Sequence, residues 1–162
     1  MFMIKSGLRA AAFAGALALS AGAALAQDAL ATVQGYMAAW NAHDSAAAAA
    51  FLAEDAVYYD ASVGSPVEGR DAAKAQVIDA FLTAAPDAAW VMDGAPVVSG
   101  DAVAFEWTFS GTNSGAWADG TAATGKAFSF HGATIIRVED DKIKHQADYY
   151  DALGFYKQLG LM

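Results

Sequence analysis

Residues 126–150 read KAFSFHGATIIRVEDDKIKHQADYY, and residues 90–111 read WVMDGAPVVSGDAVAFEWTFSG. In both stretches apolar and polar side chains alternate with period two, the mark of strands with one covered face. Turn residues interrupt the alternation at Ser99-Gly100-Asp101 and at Glu139-Asp140-Asp141. The pattern predicts four successive antiparallel strands near 90–98, 102–111, 126–138 and 143–150. Between the second and third, the Gly-, Thr- and Ala-rich segment 111–125 predicts a long hairpin loop.

Upstream of Trp90 the period is helical. Leu30, Val33, Met37 and Trp40 recur three and four apart within residues 28–42, with Tyr36 on the same face. Residues 41–44 break this helix, and Asp44 caps a second one through Ser45–Ala53. Its alanines combine high helix propensity with little bulk. Val57–Asp60 reads as a short strand, and Gly64, Pro66 and Gly69 punctuate a loop. A third helix is expected over 71–85, with Val77, Ile78, Phe81 and Leu82 inward and Pro86 as its stop. Residues 152–162 read as a short tail. Three helices followed by a meander of strands is an α+β layout. A strongly curved antiparallel sheet packed on the three helices would form a cone with an apolar interior, in one domain.

The first 26 residues, MFMIKSGLRAAAFAGALALSAGAALA, have Lys5 and Arg9 at the start, an apolar run, and Ala24-Leu25-Ala26 at the end. This is the pattern of a cleaved secretory signal. The apolar run falls short of the roughly 20 residues that a spanning helix needs. Cleavage would leave 27–162 as the domain, periplasmic or secreted and off the membrane. Losing Lys5 and Arg9 moves the net charge from −9 to −11. So acidic a surface repels phosphate backbones, which argues against nucleic acid as a partner. With no cysteine in the chain, disulfides, thiolate metal sites and cysteine nucleophiles are excluded. The three histidines show no metal-ligand spacing and the glycines no phosphate-cradling fingerprint, so no metal and no cofactor are expected.

Two stretches carry a resemblance. Val33-Gln34-Gly35-Tyr36-Met37-Ala38-Ala39-Trp40-Asn41-Ala42-His43-Asp44, followed by 51–56 (FLAEDA) and Tyr59-Asp60, resembles the opening of ketosteroid isomerases. Thr124-Gly125-Lys126, then 148–154 (DYYDALG) and Gln158-Leu159-Gly160, resembles SnoaL-type polyketide cyclases. Both groups belong to the nuclear transport factor 2-like superfamily of cone-shaped, cystatin-like rolls, and the resemblance spans the whole chain after the leader. It implies that Tyr36 matches the tyrosine holding the substrate oxyanion and Asp60 the aspartate that shuttles the proton. The isomerases' second oxyanion donor falls near Thr134, which removes one strong donor. Asp148 matches a pocket carboxylate of limonene epoxide hydrolases and their SnoaL relatives, whose arginine and remaining aspartate fall at about Trp107 and Phe109. Asp151 is a further match to the cyclases' acid/base aspartate. The resemblance also implies a homodimer formed through the sheet face.

The residues themselves suit acid/base chemistry. A carboxylate in a water-poor pocket has its pKa raised toward neutrality, where it takes a proton from carbon and returns it. Asp60 or Asp148 would be that base, with Tyr36 on the substrate oxygen. Gln146, Asp148 and Tyr150 share one strand face, opposite His145, Ala147 and Tyr149. Asp151 also reads as a cap for the tail. Trp40, Trp107, Phe109 and Phe130 are expected to line an apolar pocket, with His131, Gln146 and Asp151 as further contacts. The expectation is an exported, cofactor-independent isomerase, cyclase or hydratase acting on a small apolar organic molecule. The alternative is a non-catalytic periplasmic binding or interaction module.

Overall fold

The computed structural model describes the backbone of residues 11–162 and the side chains from Ala26 onward. The expected signal at 1–26 therefore lies largely outside the described residues. Helix α1 (Ala11–Asn41) is followed by α2 (Ser45–Ala50), β1 (Leu52–Asp60) and β2 (Pro66–Glu68). A continuous helical stretch comes next: α3 (Arg70–Ala73), a π-turn over Lys74–Ile78, and α4 (Asp79–Ala84). Strands β3 (Ala89–Ser99), β4 (Ala102–Thr112), β5 (Ala127–Glu139) and β6 (Lys142–Tyr150) then form the meander, and α5 (Ala152–Leu159) closes the chain. Among the described residues no helix is long and apolar enough to cross a membrane.

The six strands make one curved, unclosed sheet in the order β2-β1-β6-β5-β4-β3. Its inner face is built by the alternation visible in the sequence. Val103, Phe105, Trp107 and Phe109 of β4 are all buried, as are Phe128, Phe130, Thr134 and Ile136 of β5. Gly132 interrupts that second row for a reason. A Cβ there would lie 2.3 Å from the Trp107 ring, so only glycine lets the indole lie across β5. Val33, Tyr36 and Trp40 of α1 and Val77, Ile78 and Phe81 of the next helix close the cone from the other side.

Four elements differ from expectation. Helix α2 stops at Ala50, and β1 begins at Leu52 instead of Val57, because Phe51 and Leu52 carry bulk that suits a strand entering the core. The expected loop at 64–69 contains β2, whose Pro66 is tolerated because it sits on the sheet's edge. The tail is helix α5: Asp151 Oδ1 accepts from the Gly154 N–H at 2.8 Å, Gly160 ends the helix at φ 72°, and Phe155 and Leu159 are buried. Finally, β1 pairs in parallel with β6. The last strand of the meander leaves an open edge, and the helices carry the chain round so that β1 fills it.

The 113–126 connection is a long loop, as expected, and it is pinned. Buried Asn113 donates to the Ala84 and Gly115 carbonyls and accepts from the Thr124 backbone and hydroxyl.

Candidate functional site

The parallel pairing of β1 and β6 brings together residues about 90 positions apart. Tyr58 lies opposite Gln146 and Asp60 opposite Asp148 in register. Period two then puts Tyr58, Asp60, Gln146, Asp148 and Tyr150 on the inner face. Asp60 and Asp148 are 3% and 5% exposed, and the two carboxylates are neighbours at the floor of a cavity.

The remaining walls are aromatic. Trp40 comes from α1, Val77 and Phe81 from the helix after β2, and Trp90 from β3. Trp107 and Phe109 of β4 and Phe130 of β5 complete the ring, with Tyr58 and Tyr150 beside the carboxylates. Adjacent rings meet near right angles: 71° for Trp40–Trp90, 85° for Trp90–Trp107 and 70° for Trp107–Phe130. The open volume is about 30 Å³, where roughly 10–15 Å³ holds one water. That is room for a head group of a few non-hydrogen atoms.

Hydrogen-bond directions around Asp148 are forced. The Trp107 indole N–H can only donate, and it donates to Thr134 Oγ1 at 2.6 Å. Thr134 in turn donates its one hydrogen to Asp148 Oδ1 at 2.6 Å. Tyr58 donates to Asp148 Oδ2 at 2.7 Å, and Gln146 Nε2 reaches both carboxylate oxygens at 3.1 and 3.0 Å. Burial and the neighbouring Asp60 charge push the Asp148 pKa up to about 7, against the lowering effect of these donors. Burial likewise pushes the Tyr58 and Tyr150 hydroxyls well up, with nearby carboxylate charge acting in the same direction.

Asp60 is held on one side only. Its Oδ1 accepts from Ser62 N (2.8 Å), Ser62 Oγ (2.6 Å), Val63 N (3.3 Å) and Tyr150 OH (2.8 Å). Its Oδ2 makes no hydrogen bond among the described residues, and Asp60 lines the cavity. The site therefore has one fully engaged carboxylate and, beside it, one with an open acceptor.

Of the residues singled out from sequence, Asp60, Asp148, Trp40, Trp107, Phe109 and Phe130 line this cavity. Gln146 lies directly behind it. Three others are placed elsewhere. Tyr36 is fully buried among Trp40, Tyr58 and Gln146, makes no hydrogen bond through its hydroxyl, and does not line the cavity. His131 projects from the outer face of the sheet, 82% exposed beside Asp93 and Thr108, because its strand neighbour Phe130 takes the inner face. Asp151 is exposed and serves as the α5 cap. Tyr58, Trp90, Tyr150, Phe81 and Val77 also line the cavity: the sequence puts Tyr150 on the face of Asp148 and Val77 and Phe81 inward, but marks none of the five as pocket residues. Tyr58 and Tyr150 carried a usable signal, standing two residues from Asp60 and Asp148 in period-two strands.

Among solved structures, a protein of ketosteroid isomerase-like fold from Catenulispora acidiphila, in complex with trimethylamine, is similar at 22% identity and TM-score 0.67, over 80% of this chain and 92% of that one. A proposed SnoaL-like polyketide cyclase from Jannaschia matches at 15% identity and TM-score 0.71, over 84% and 94%. IdmH of Streptomyces antibioticus, a proposed polyketide cyclase, matches at 25% identity and TM-score 0.66, over 82% and 98%. No curated protein matches the chain. The model of the SnoaL-like domain matches residues 33–146, which include Asp60 and every residue lining the cavity except Asp148 and Tyr150. With a fold and a family model in agreement, the chain belongs to the SnoaL-like domain family.

Proposed function

We propose that the cavity is a cofactor-independent acid/base site of the isomerase, cyclase or hydratase type. The carrying observation is the register pair Asp60–Asp148 at the floor of an aromatic cavity, with Asp60 Oδ2 open to it. Asp60 takes a proton from an activated carbon of a small molecule and returns it to a neighbouring atom. Asp148, held near neutrality, is the group beside it able to give or take the second proton. A positioned carboxylate of this kind contributes roughly 10²–10⁴-fold in rate. The test is mass spectrometry of purified protein incubated with an extract of small metabolites, beside its Asp60→Asn variant. A compound consumed by the wild type and only retained by the variant supports the mechanism. Equal consumption by both overturns it.

One observation favours a second reading, binding without turnover. Tyr58, Tyr150 and Trp107 each commit their single hydrogen inside the protein, so these three residues offer no donor to a developing oxyanion. A compound retained unchanged by both proteins would establish that reading.

Two further proposals concern the whole chain. Residues 1–26 act as a secretion signal, supported by their charge and apolar pattern, which makes the mature protein periplasmic or secreted. The outer sheet face, where Val91, Ile135 and Tyr149 are 54%, 45% and 53% exposed, forms a homodimer.

A further inference from the structure

We propose that the ligand of this cavity carries a small alkylated ammonium head, a protonated secondary or tertiary amine. The inference rests on the reading that this cavity is the ligand site, and is independent of whether turnover follows. Two carboxylates stand side by side in register, buried, and no Lys, Arg or His lines the cavity. Buried charge is normally paired. Asp148 relieves part of that cost by holding a proton up to about neutral pH, and a cationic ligand would supply the counter-charge for what remains.

The lining sorts among ligand chemistries. The hydroxyls of Tyr58 and Tyr150 already donate to Asp148 and Asp60, and what the floor presents is an acceptor, Asp60 Oδ2. A carbonyl or phosphate oxygen would meet that acceptor lone pair to lone pair. An N–H⁺ group would donate to it, and its alkyl groups would lie against Trp40, Trp90, Trp107 and Phe130, whose near-perpendicular planes form a box. Aromatic faces attract a cation most strongly where it is desolvated. The volume of about 30 Å³, roughly two to three waters on the same scale, limits the buried part to a compact head and leaves the rest of a larger ligand outside. The chain's net charge of −9 draws cations toward it.

The titratable groups facing this site are Asp60 and Tyr58 from β1 and Asp148 and Tyr150 from β6. A bound cation favours the ionised form of Asp148, so binding releases protons and tightens as pH rises from 6 to 8.

Trimethylammonium and tert-butanol, which share a shell of three methyl groups, are titrated into the protein by calorimetry and proton NMR. Asp60→Asn serves as the variant: its Oδ1 retains the three bonds that hold the turn and the one from Tyr150, while its amide replaces the open acceptor with a donor. The expected result is trimethylammonium binding at least tenfold tighter than tert-butanol. It should also tighten with pH and weaken at least tenfold in Asp60→Asn. Equal or tighter binding of tert-butanol overturns the inference and leaves the acid/base proposal standing. Failure of both probes to bind also overturns it, and the metabolite assay then judges the catalytic reading by itself.

Discussion

Asp148 ionises against its surroundings, and that has a consequence for stability. Its folded pKa of about 7 lies above the usual 3.8 because burial and the Asp60 charge both disfavour the carboxylate. Between those values the folded chain binds more protons than the unfolded one, so stability falls as pH rises through this window and stays lower above it. Asp148→Asn removes the effect. Relative to wild type, the variant should gain stability between pH 4 and pH 8, on the order of a few kcal/mol, as read from urea unfolding at the two pH values. Parallel curves for the two proteins would contradict the assignment. Tyr36 gives a second prediction. Its hydroxyl is buried without a partner, so Tyr36→Phe should leave turnover close to wild type and stability equal or higher. A large loss of turnover would restore the oxyanion role that the resemblance implies. At this scale the strand faces of Gln146, Asp148 and Tyr150 were legible, because period two leaves only two choices. The same rule excludes Phe130 and His131 from sharing one cavity, since they are consecutive in β5.

Among the elements, β5 and α5 make the site's shape most testable. Gly132→Ala would drive a methyl into the Trp107 ring, breaking the indole's bond to Thr134 and with it the Thr134–Asp148 contact. Overpacking of this kind costs roughly 1–3 kcal/mol. The variant should also move the Asp148 titration upward from about 7, because the Thr134 hydrogen bond that lowers it is lost, and NMR would read the shift directly. Asp151→Ala removes the α5 cap at a cost of about 0.5–2 kcal/mol. Phe155 packs on Phe130 at 4.8 Å and on Phe81 at 6.2 Å between ring centres, so thermal unfolding should shift down. The catalytic proposal expects little change in turnover, because Asp151 touches no cavity residue's polar group. The four-strand meander was readable from its alternation and its turns. The pairing of β1 with β6 was not: it is a contact between distant segments, with no local signal to announce it. That pairing is also what sets Asp60 beside Asp148, so the acids were visible singly and their adjacency was not.

At the scale of the molecule, the chain assembles an acidic shell around a small aromatic cavity with an ionisable floor. Leader cleavage predicts a mature protein beginning at Gln27, which intact-mass measurement of exported material checks. An unprocessed mass would contradict it. The central claim is that the floor is a carboxylate pair held out of water. The most direct measurement is a ¹³C NMR titration of the aspartate carboxyls in the wild type, Asp148→Asn and Asp60→Asn. The account predicts one carboxyl with a midpoint near 7 in the wild type, absent from Asp148→Asn and shifted downward in Asp60→Asn, where the neighbouring charge is gone. If every carboxyl of the wild type titrates in the ordinary range around 4, the cavity floor is solvated and the acid/base assignment is wrong.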